Sequence, residues 1–265
     1  MTYTHLSVER SHHNKIATVT LRRPEVHNAF NAQVVEELTT AFTELRTDDA
    51  LHGVILTGAG PSFSAGADLS QMKAAAMITQ EDNLNDALRL ADLLHTINTL
   101  PMPVIARVNG TAMGGGLGLI AVCDIAIAAE SARFAFSEVK LGIAPAVISP
   151  FVVRKIGEAH ARMLFVTGER FNAARALSIG LVHSVVPLEQ LDVAVEKVIS
   201  ELVTSAPQAI RACKTLALTV GQMEHAEARR YTAETIARLR IGEEGQEGLR
   251  AFLEKRKAKW IEQNV

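Results

Sequence analysis

The sequence predicts an α/β protein whose C-terminal portion is helical, and three observations carry that prediction. Short apolar, β-branched runs, "GVILTG" at 53–58, "PVIARVNG" at 103–110 and "CDIAIAAE" at 123–130, read as strands buried on both faces. Loops and helical patterns separate them in strand–loop–helix order, the alternation of a largely parallel sheet. From about residue 186 onward the patterns are helical only.

Taken in order, residues 5–10 and 15–22 ("KIATVTLR") alternate as two hairpin-like strands. "RPEVHNAFN" is a loop, and Asn31 is placed to cap a helix over 32–46. The 53–58 strand leads into a loop over 59–68, "AGPSFSAGAD". A helix is expected over 81–99, with Leu84, Leu88, Ala91, Leu94 and Ile97 or Leu100 on one face, ended by Pro101 and Pro103. The 103–110 strand runs into four glycines within Gly114–Gly118 and a short helix; 123–130 and "RFAF" (133–136) are strands. Helices are expected over 188–204, 207–219, 223–240 and 243–262, with Pro187 and Pro207 at their starts. The reading divides the chain into a core over 1–200 and a helical region over 201–265.

Composition excludes several function classes. The 265 residues are 48% hydrophobic and 21% charged with a net charge of −2, so bulk charge points to neither a nucleic acid nor a membrane surface. Cys123 and Cys213 lie in apolar surroundings and read as buried thiols of a reducing compartment. "MTYTHLSVER" shows no signal or transit pattern, and no apolar run approaches the length of a membrane span, so a cytoplasmic protein is expected. There is no phosphate-cradling G-x-x-x-x-G-K-[ST], the 114–118 cluster does not fit G-x-G-x-x-G, and no G-x-S-x-G elbow exists. The nine histidines are not paired at ligand spacing, and no metal is expected.

Three loops after strands remain. Ser64–Asp68 and the glycine cluster both follow a strand and precede a helix, where small residues leave backbone N–H groups uncovered. Two such loops can each supply one N–H to a common oxygen, as an oxyanion hole requires. Read alone, each is also an ordinary tight turn. The third loop carries Glu138 among Phe134, Phe136, Leu141, Ile143, Ala144 and Pro145. An exposed glutamate is the plain alternative; a carboxyl in that apolar setting would be desolvated and suited to proton transfer near neutral pH.

The chain resembles the enoyl-CoA hydratase/isomerase (crotonase) superfamily over nearly its whole length, through "SFSAGADL", "VIARVNGTAMGGGLGLIAVCDIAIAAESARFAFSEVKLGIAP" and "AFLEKRKAKW". Residues 136–187 more narrowly resemble bacterial 3-methylglutaconyl-CoA and isohexenylglutaconyl-CoA hydratases. The resemblance implies a spiral of ββα units with a helical C-terminal region, forming trimers or hexamers (dimers of trimers). It implies an acyl-CoA thioester substrate and no separate cofactor, coenzyme A being part of the substrate. The implied oxyanion donors are Ala67 and Gly115, and the implied acid–base residue is Glu138. Val26, Ala65, Ala67, Asp68, Leu69, Gly115 and Lys140 are implied substrate contacts. Phe252 and Lys255 of the last helix are implied contacts of coenzyme A in a neighbouring subunit.

One departure matters: two-carboxylate hydratases of this family carry a glutamate where this chain has Gly118. Glu138 alone can move the proton of water, and by the same resemblance it can serve a Δ3,Δ2-enoyl-CoA isomerase. A silent scaffold is a further alternative. An RNA-binding relative is another, but the 81–99 segment has one arginine and no lysine and lacks the cationic stripe needed. If the acyl group carries a second carboxylate, a cation must meet it; Lys73 and Lys140 rank first, then Arg154 and Lys155.

Overall fold

The computed structural model describes residues 3–68, 73 and 77–262. Among them, two sheets are wound by a repeating unit of two strands and a helix. The strands are β1 (Leu6–Ser11), β2 (Ile16–Leu21), β3 (Gly53–Gly58), β4 (Ser62–Ser64), β5 (Val104–Val108), β6 (Thr111–Met113), β7 (Ile125–Ala129), β8 (Arg133–Ala135), β9 (Phe171–Asn172) and β10 (Ser184–Val186). The helices are α1 (Ala32–Arg46), α2 (Gln80–Asn98), α3 (Gly115–Val122), α4 (Ser149–Thr167), α5 (Ala173–Ser178), α6 (Leu191–Thr204), α7 (Pro207–Thr219), α8 (His225–Ile241), α9 (Glu243–Leu253) and α10 (Lys259–Glu262).

The larger sheet runs β1-β2-β3-β5-β7-β10, parallel except for the β1–β2 hairpin. Its central strands bury both faces by simple alternation. Val54, Leu56, Val104, Ala106, Ala126 and Ala128 enter one core, while Ile55, Ile105 and Ile127 enter another beneath Leu191, Val195, Ile199 and Val203 of α6. The smaller sheet runs β4-β6-β8-β9, with β4, β6 and β8 parallel. Three successive units, β3-β4-α2, β5-β6-α3 and β7-β8-α4, each place one strand in either sheet before a helix. Parallel neighbours lie about 4.8 Å apart. The loops leaving β4, β6 and β8 therefore emerge side by side, although they come from chain segments some 70 residues apart.

Asn28 ties the loop after β2 to the β3–β4 turn. It is 1% exposed, and its amide nitrogen donates to the carbonyls of Ala59 (2.9 Å) and Ser62 (2.8 Å) while Oδ1 accepts from Arg23 N–H (2.9 Å). Asn31 caps α1 as expected, accepting from Val34 N–H at 2.8 Å.

The structure corrects several expectations. Leu84 and Leu88 are exposed, and the buried residues of α2 are Leu93, Leu94 and Ile97. The inward face of its first half is polar, carrying Asn83 and Asp86 into a cavity described below. The helix expected over 243–262 is broken: Arg256 N–H bonds back to Ala251 O, and Lys255 turns to φ 54°. Arg256 then holds Glu247 with two contacts of 2.6 and 3.0 Å, and Trp260 Nε1 donates to Thr204 O at 3.0 Å. Helix α4 and strand β10 lack a distinct periodic signal; Gly157 inside α4 is non-helical at φ 76°, ψ 157°. The 59–68 loop contains the short strand β4. Cys123 is buried, but Cys213 is exposed.

Gly118 of α3 faces Ile148. A Cβ there would lie 2.3 Å from Ile148 Cγ2 and 3.0 Å from its Cβ. Gly118→Ala is expected to destabilise the fold by about 1–3 kcal/mol through overpacking. In the double variant with Ile148→Ala the loss should be less than the sum of the two single losses, as read by urea denaturation. Asn28→Ala removes the three hydrogen bonds of a buried side chain at a left-handed φ of 55°. It is expected to cost about 2 kcal/mol or more in the same measurement.

Candidate active site

The three side-by-side loops converge on one cavity. The loop after β4 lies along Phe30 as a short parallel bridge: Phe30 N–H donates to Gly66 O (2.6 Å) and Asp68 N–H to Phe30 O (2.8 Å). Ala67, between them, points its own N–H away from Phe30. In the loop after β6, Gly114 adopts φ 47°, ψ −118°, a conformation that excludes ordinary side chains, and its N–H donates to Ala135 O at 3.0 Å. Gly115 follows as the first residue of α3, where helical N–H groups have no partner behind them. Neither the Ala67 nor the Gly115 N–H has an acceptor among the described residues. Both residues line the same cavity.

The two loops touch through backbone. A Cβ on Gly66 would lie 2.6 Å from Met113 O and 3.1 Å from Gly115 N, and the Phe30 ring packs over Gly115. Small residues at these positions are required for the approach itself.

Glu138 leaves the third loop and lays its carboxyl against Gly114, where a Cβ would meet Oε1 at 3.1 Å. Its Oε2 is buried with no hydrogen-bond partner. Burial pushes the Glu138 pKa above the usual carboxylate range, with a smaller opposing effect from its own backbone N–H.

The cavity has two lobes that meet at Ala67, Gly115 and Glu138. The mouth lobe, about 460 Å3, includes Val26, Ala65, Asp68, Leu141 and Arg170. The inner lobe, about 270 Å3, is walled by Phe30, Val35, Leu90, Pro145, Val147 and Ile148, with Asn83 and Asp86 of α2. Ile148 is the same side chain that closes over Gly118, so no second carboxylate stands opposite Glu138 at that position.

Most of the sequence-derived site residues thus come together: Glu138, Ala67, Gly115, Val26, Ala65 and Asp68. The Asp68 carboxylate is held at 3.0 Å by Arg23, which also donates to Ala29 O at 2.8 Å, so Asp68 fixes the loop as well as lining the lobe. Leu69 lies outside the described residues. Lys140 is exposed and absent from the cavity wall; its stem rests against Gly168. Phe252, 82% exposed, and Lys255 stand at the end of α9, outside the cavity of their own chain. Of the other cations considered, Lys73 and Arg154 are exposed and line neither lobe. Lys155 is occupied elsewhere, donating to Cys123 O at 2.5 Å, and burial lowers its pKa. Sequence reasoning missed Arg170, which sits in "GERFN" with no periodic or motif signal, and Ile148, whose role appears only when α4 is laid over α3. Among the described residues no group of three or more His, Cys, Asp or Glu side chains could hold a metal, and no helix is long and apolar enough to cross a membrane.

Comparison with known proteins agrees with this geometry. The enoyl-CoA hydratase/isomerase family pattern matches residues 11–263. A short-chain-enoyl-CoA hydratase of Clostridium acetobutylicum is 36% identical over 245 residues, covering 92% of this chain and 93% of the relative. An enoyl-CoA hydratase structure from Shewanella pealeana superposes with a TM-score of 0.92 at 40% identity, over 97% of this chain and 96% of that one. The structure of Pseudomonas aeruginosa AtuE superposes with a TM-score of 0.94 at 36% identity, over 97% of this chain and all of the other. With two unpaired N–H groups and a half-buried carboxyl in one cavity on a wound pair of sheets, the chain belongs to the enoyl-CoA hydratase/isomerase family and has the crotonase fold.

Proposed function

We propose that the protein hydrates an α,β-unsaturated acyl-CoA thioester with Glu138 as its single acid–base group. The observation that supports this reading is the half-buried Glu138 carboxyl: its Oε2 is buried and unpartnered, and it shares one cavity with the free N–H groups of Ala67 and Gly115. In the carboxylate form Glu138 takes a proton from water, and the water oxygen bonds to the β-carbon. The electron pair of the double bond moves onto the thioester oxygen, held by the two N–H groups and the positive end of α3. Glu138, now a carboxylic acid, returns that proton to the α-carbon. One water is added and the carboxylate is regenerated. Both transfers use one residue, so both take place on one face of the substrate.

The acyl chain fits the inner lobe and the coenzyme A arm the mouth lobe, past Val26 and Ala65. The finer reading is a glutaconyl-type substrate such as 3-methylglutaconyl-CoA. Coenzyme A belongs to the substrate, and no cofactor enters the reaction. Phe252 and Lys255, with the exposed Ile241, Leu249 and Leu253, form a face suited to a second copy in a trimer or hexamer, where they reach the neighbouring mouth. The second reading, a Δ3,Δ2-enoyl-CoA isomerase, is favoured by one observation: Ile148 fills the space beside Gly118, so α3 brings no carboxylate to join Glu138, which alone can shuttle a proton between carbons. Turnover in 18O-labelled water separates the two. A hydratase yields a product one water heavier and carrying the label, with loss of the conjugated enoyl absorbance. An isomerase yields conjugated product from a 3-enoyl-CoA with no change of mass.

Glu138→Gln is expected to lower kcat by roughly 100-fold or more, the scale for losing a general acid–base. A variant of near-native kcat would reject Glu138 as the proton carrier. The pH dependence has a definite sign. The base form is required, so the acid limb of kcat/KM should lie above the ordinary carboxylate range. For stability, the raised folded-state pKa means that charging Glu138 opposes folding. That cost is absent below the unfolded pKa and grows as pH rises through the folded one. Glu138→Gln should therefore have a higher Tm than the parent at pH 8, with the difference shrinking toward pH 4.

A further inference from the structure

Arg170 is the one lysine or arginine in the wall of either lobe among the described residues. It follows α4, and its loop is fixed beneath the Glu138 segment, because a Cβ on Gly168 would lie 2.8 Å from Val139 Cγ1 and 3.3 Å from Phe136 O. Arg170 is exposed at the cavity mouth and, among the described residues, makes no ion pair or side-chain hydrogen bond; Glu138 is likewise without an ionic partner there. A cation and a carboxyl thus share one cavity without neutralising each other. Behind Arg170 a second cavity of about 700 Å3 opens, reached past Met113, which lines both. It adds Arg133 and Arg175 and, among the described residues, contains no acidic one. Arg133 is held in place by donating to the carbonyls of Ser131 (3.0 Å) and Ala132 (2.9 Å). Three guanidinium groups with no acid among them make a positively charged wall that meets the Glu138 cavity at Met113 and Arg170. Lys73 and Lys140, which the sequence ranks first for a distal carboxylate, do not reach the wall.

We propose that Arg170 is a specificity-determining residue that receives a carboxylate carried by the acyl group, with Arg133 and Arg175 supplying the field behind it. The guanidinium fork matches a carboxylate with two parallel hydrogen bonds. The inference rests on the hydratase reading and deepens it. The acyl group then has an apolar arm in the lobe beneath Ile148 and an anionic arm turned back toward Arg170, a β-branched dicarboxylic enoyl thioester. The phosphates of coenzyme A are oxyanions too and enter by the same mouth, so the test separates the two sources.

The test compares 3-methylglutaconyl with 3-methylcrotonyl thioesters, which share the double bond and differ by one carboxylate. Each is presented as the CoA ester and as the N-acetylcysteamine ester, which has no phosphate. In Arg170→Met the anionic-to-neutral ratio of kcat/KM should fall roughly 30-fold or more in both ester series, the scale for orphaning a charge-paired group. Arg170→Lys should restore part of it, and Arg170→Glu should lower the ratio further. An unchanged ratio in all three variants overturns the proposal. So does an equal fall for both CoA esters with none for the N-acetylcysteamine esters, which assigns Arg170 to a phosphate. The parent enzyme keeps the two readings apart. If it hydrates neither ester nor crotonyl-CoA, the hydratase reading fails; if it hydrates a neutral ester and refuses the anionic one, only the role of Arg170 fails.

Discussion

The approach of Gly66 to the backbone of Met113–Gly115 is the contact on which the site depends. No side chain fits between the two loops. Because they meet as bare backbone, two N–H groups from distant parts of the chain can face one point. A hydrogen-bond donor on a side chain loses rotamer freedom when it is used, whereas these donors are already fixed by the sheets and by α3. The small sheet makes this possible: β4, β6 and β8 are parallel neighbours, so the residues just beyond their ends emerge in register.

Around that contact the polar groups divide into those that hold and those that remain free. Asn28 has its amide fully engaged, and Asp68 is engaged by Arg23. Ser64 Oγ donates to Asn28 O at 2.8 Å, closing the same loop pair from the other side. Around the cavity the Ala67 and Gly115 N–H and Glu138 Oε2 have no partner among the described residues, and the exposed Arg170 guanidinium stands at the cavity wall. In a folded chain buried polar atoms are nearly always paired. A free set gathered around one cavity is therefore the mark of a place built to receive a partner.

Much of this was legible in the sequence for physical reasons. The strands are buried on both faces, so their apolar runs are continuous and hard to miss. The glycines stand where backbone must approach backbone, and Glu138 stands out against aromatic neighbours. What was not legible depends on three-dimensional juxtaposition. The first half of α2 turns Asn83 and Asp86 inward to line a lobe, which inverts the usual apolar-inward rule and made Leu84 and Leu88 look like core. Helix α4 is interrupted at Gly157, which blurs its period. Arg170 has no pattern around it; only the wall it completes reveals it. Lys140, two residues from Glu138, seemed nearer in sequence yet points away, because successive residues of a tight turn diverge.

The fit of Ile148 over Gly118 also bears on how such a site changes over generations. A glutamate at position 118 has nowhere to go while Ile148 is in place, and a smaller residue at 148 leaves a void while Gly118 remains. Each single step passes through a less stable protein. Exchange between one-carboxylate and two-carboxylate chemistry is then gated by a residue that takes no part in either. The packing works as a ratchet: with the larger residue settled over the glycine, a carboxylate at position 118 is shut out by steric history, whatever the demands of the reaction.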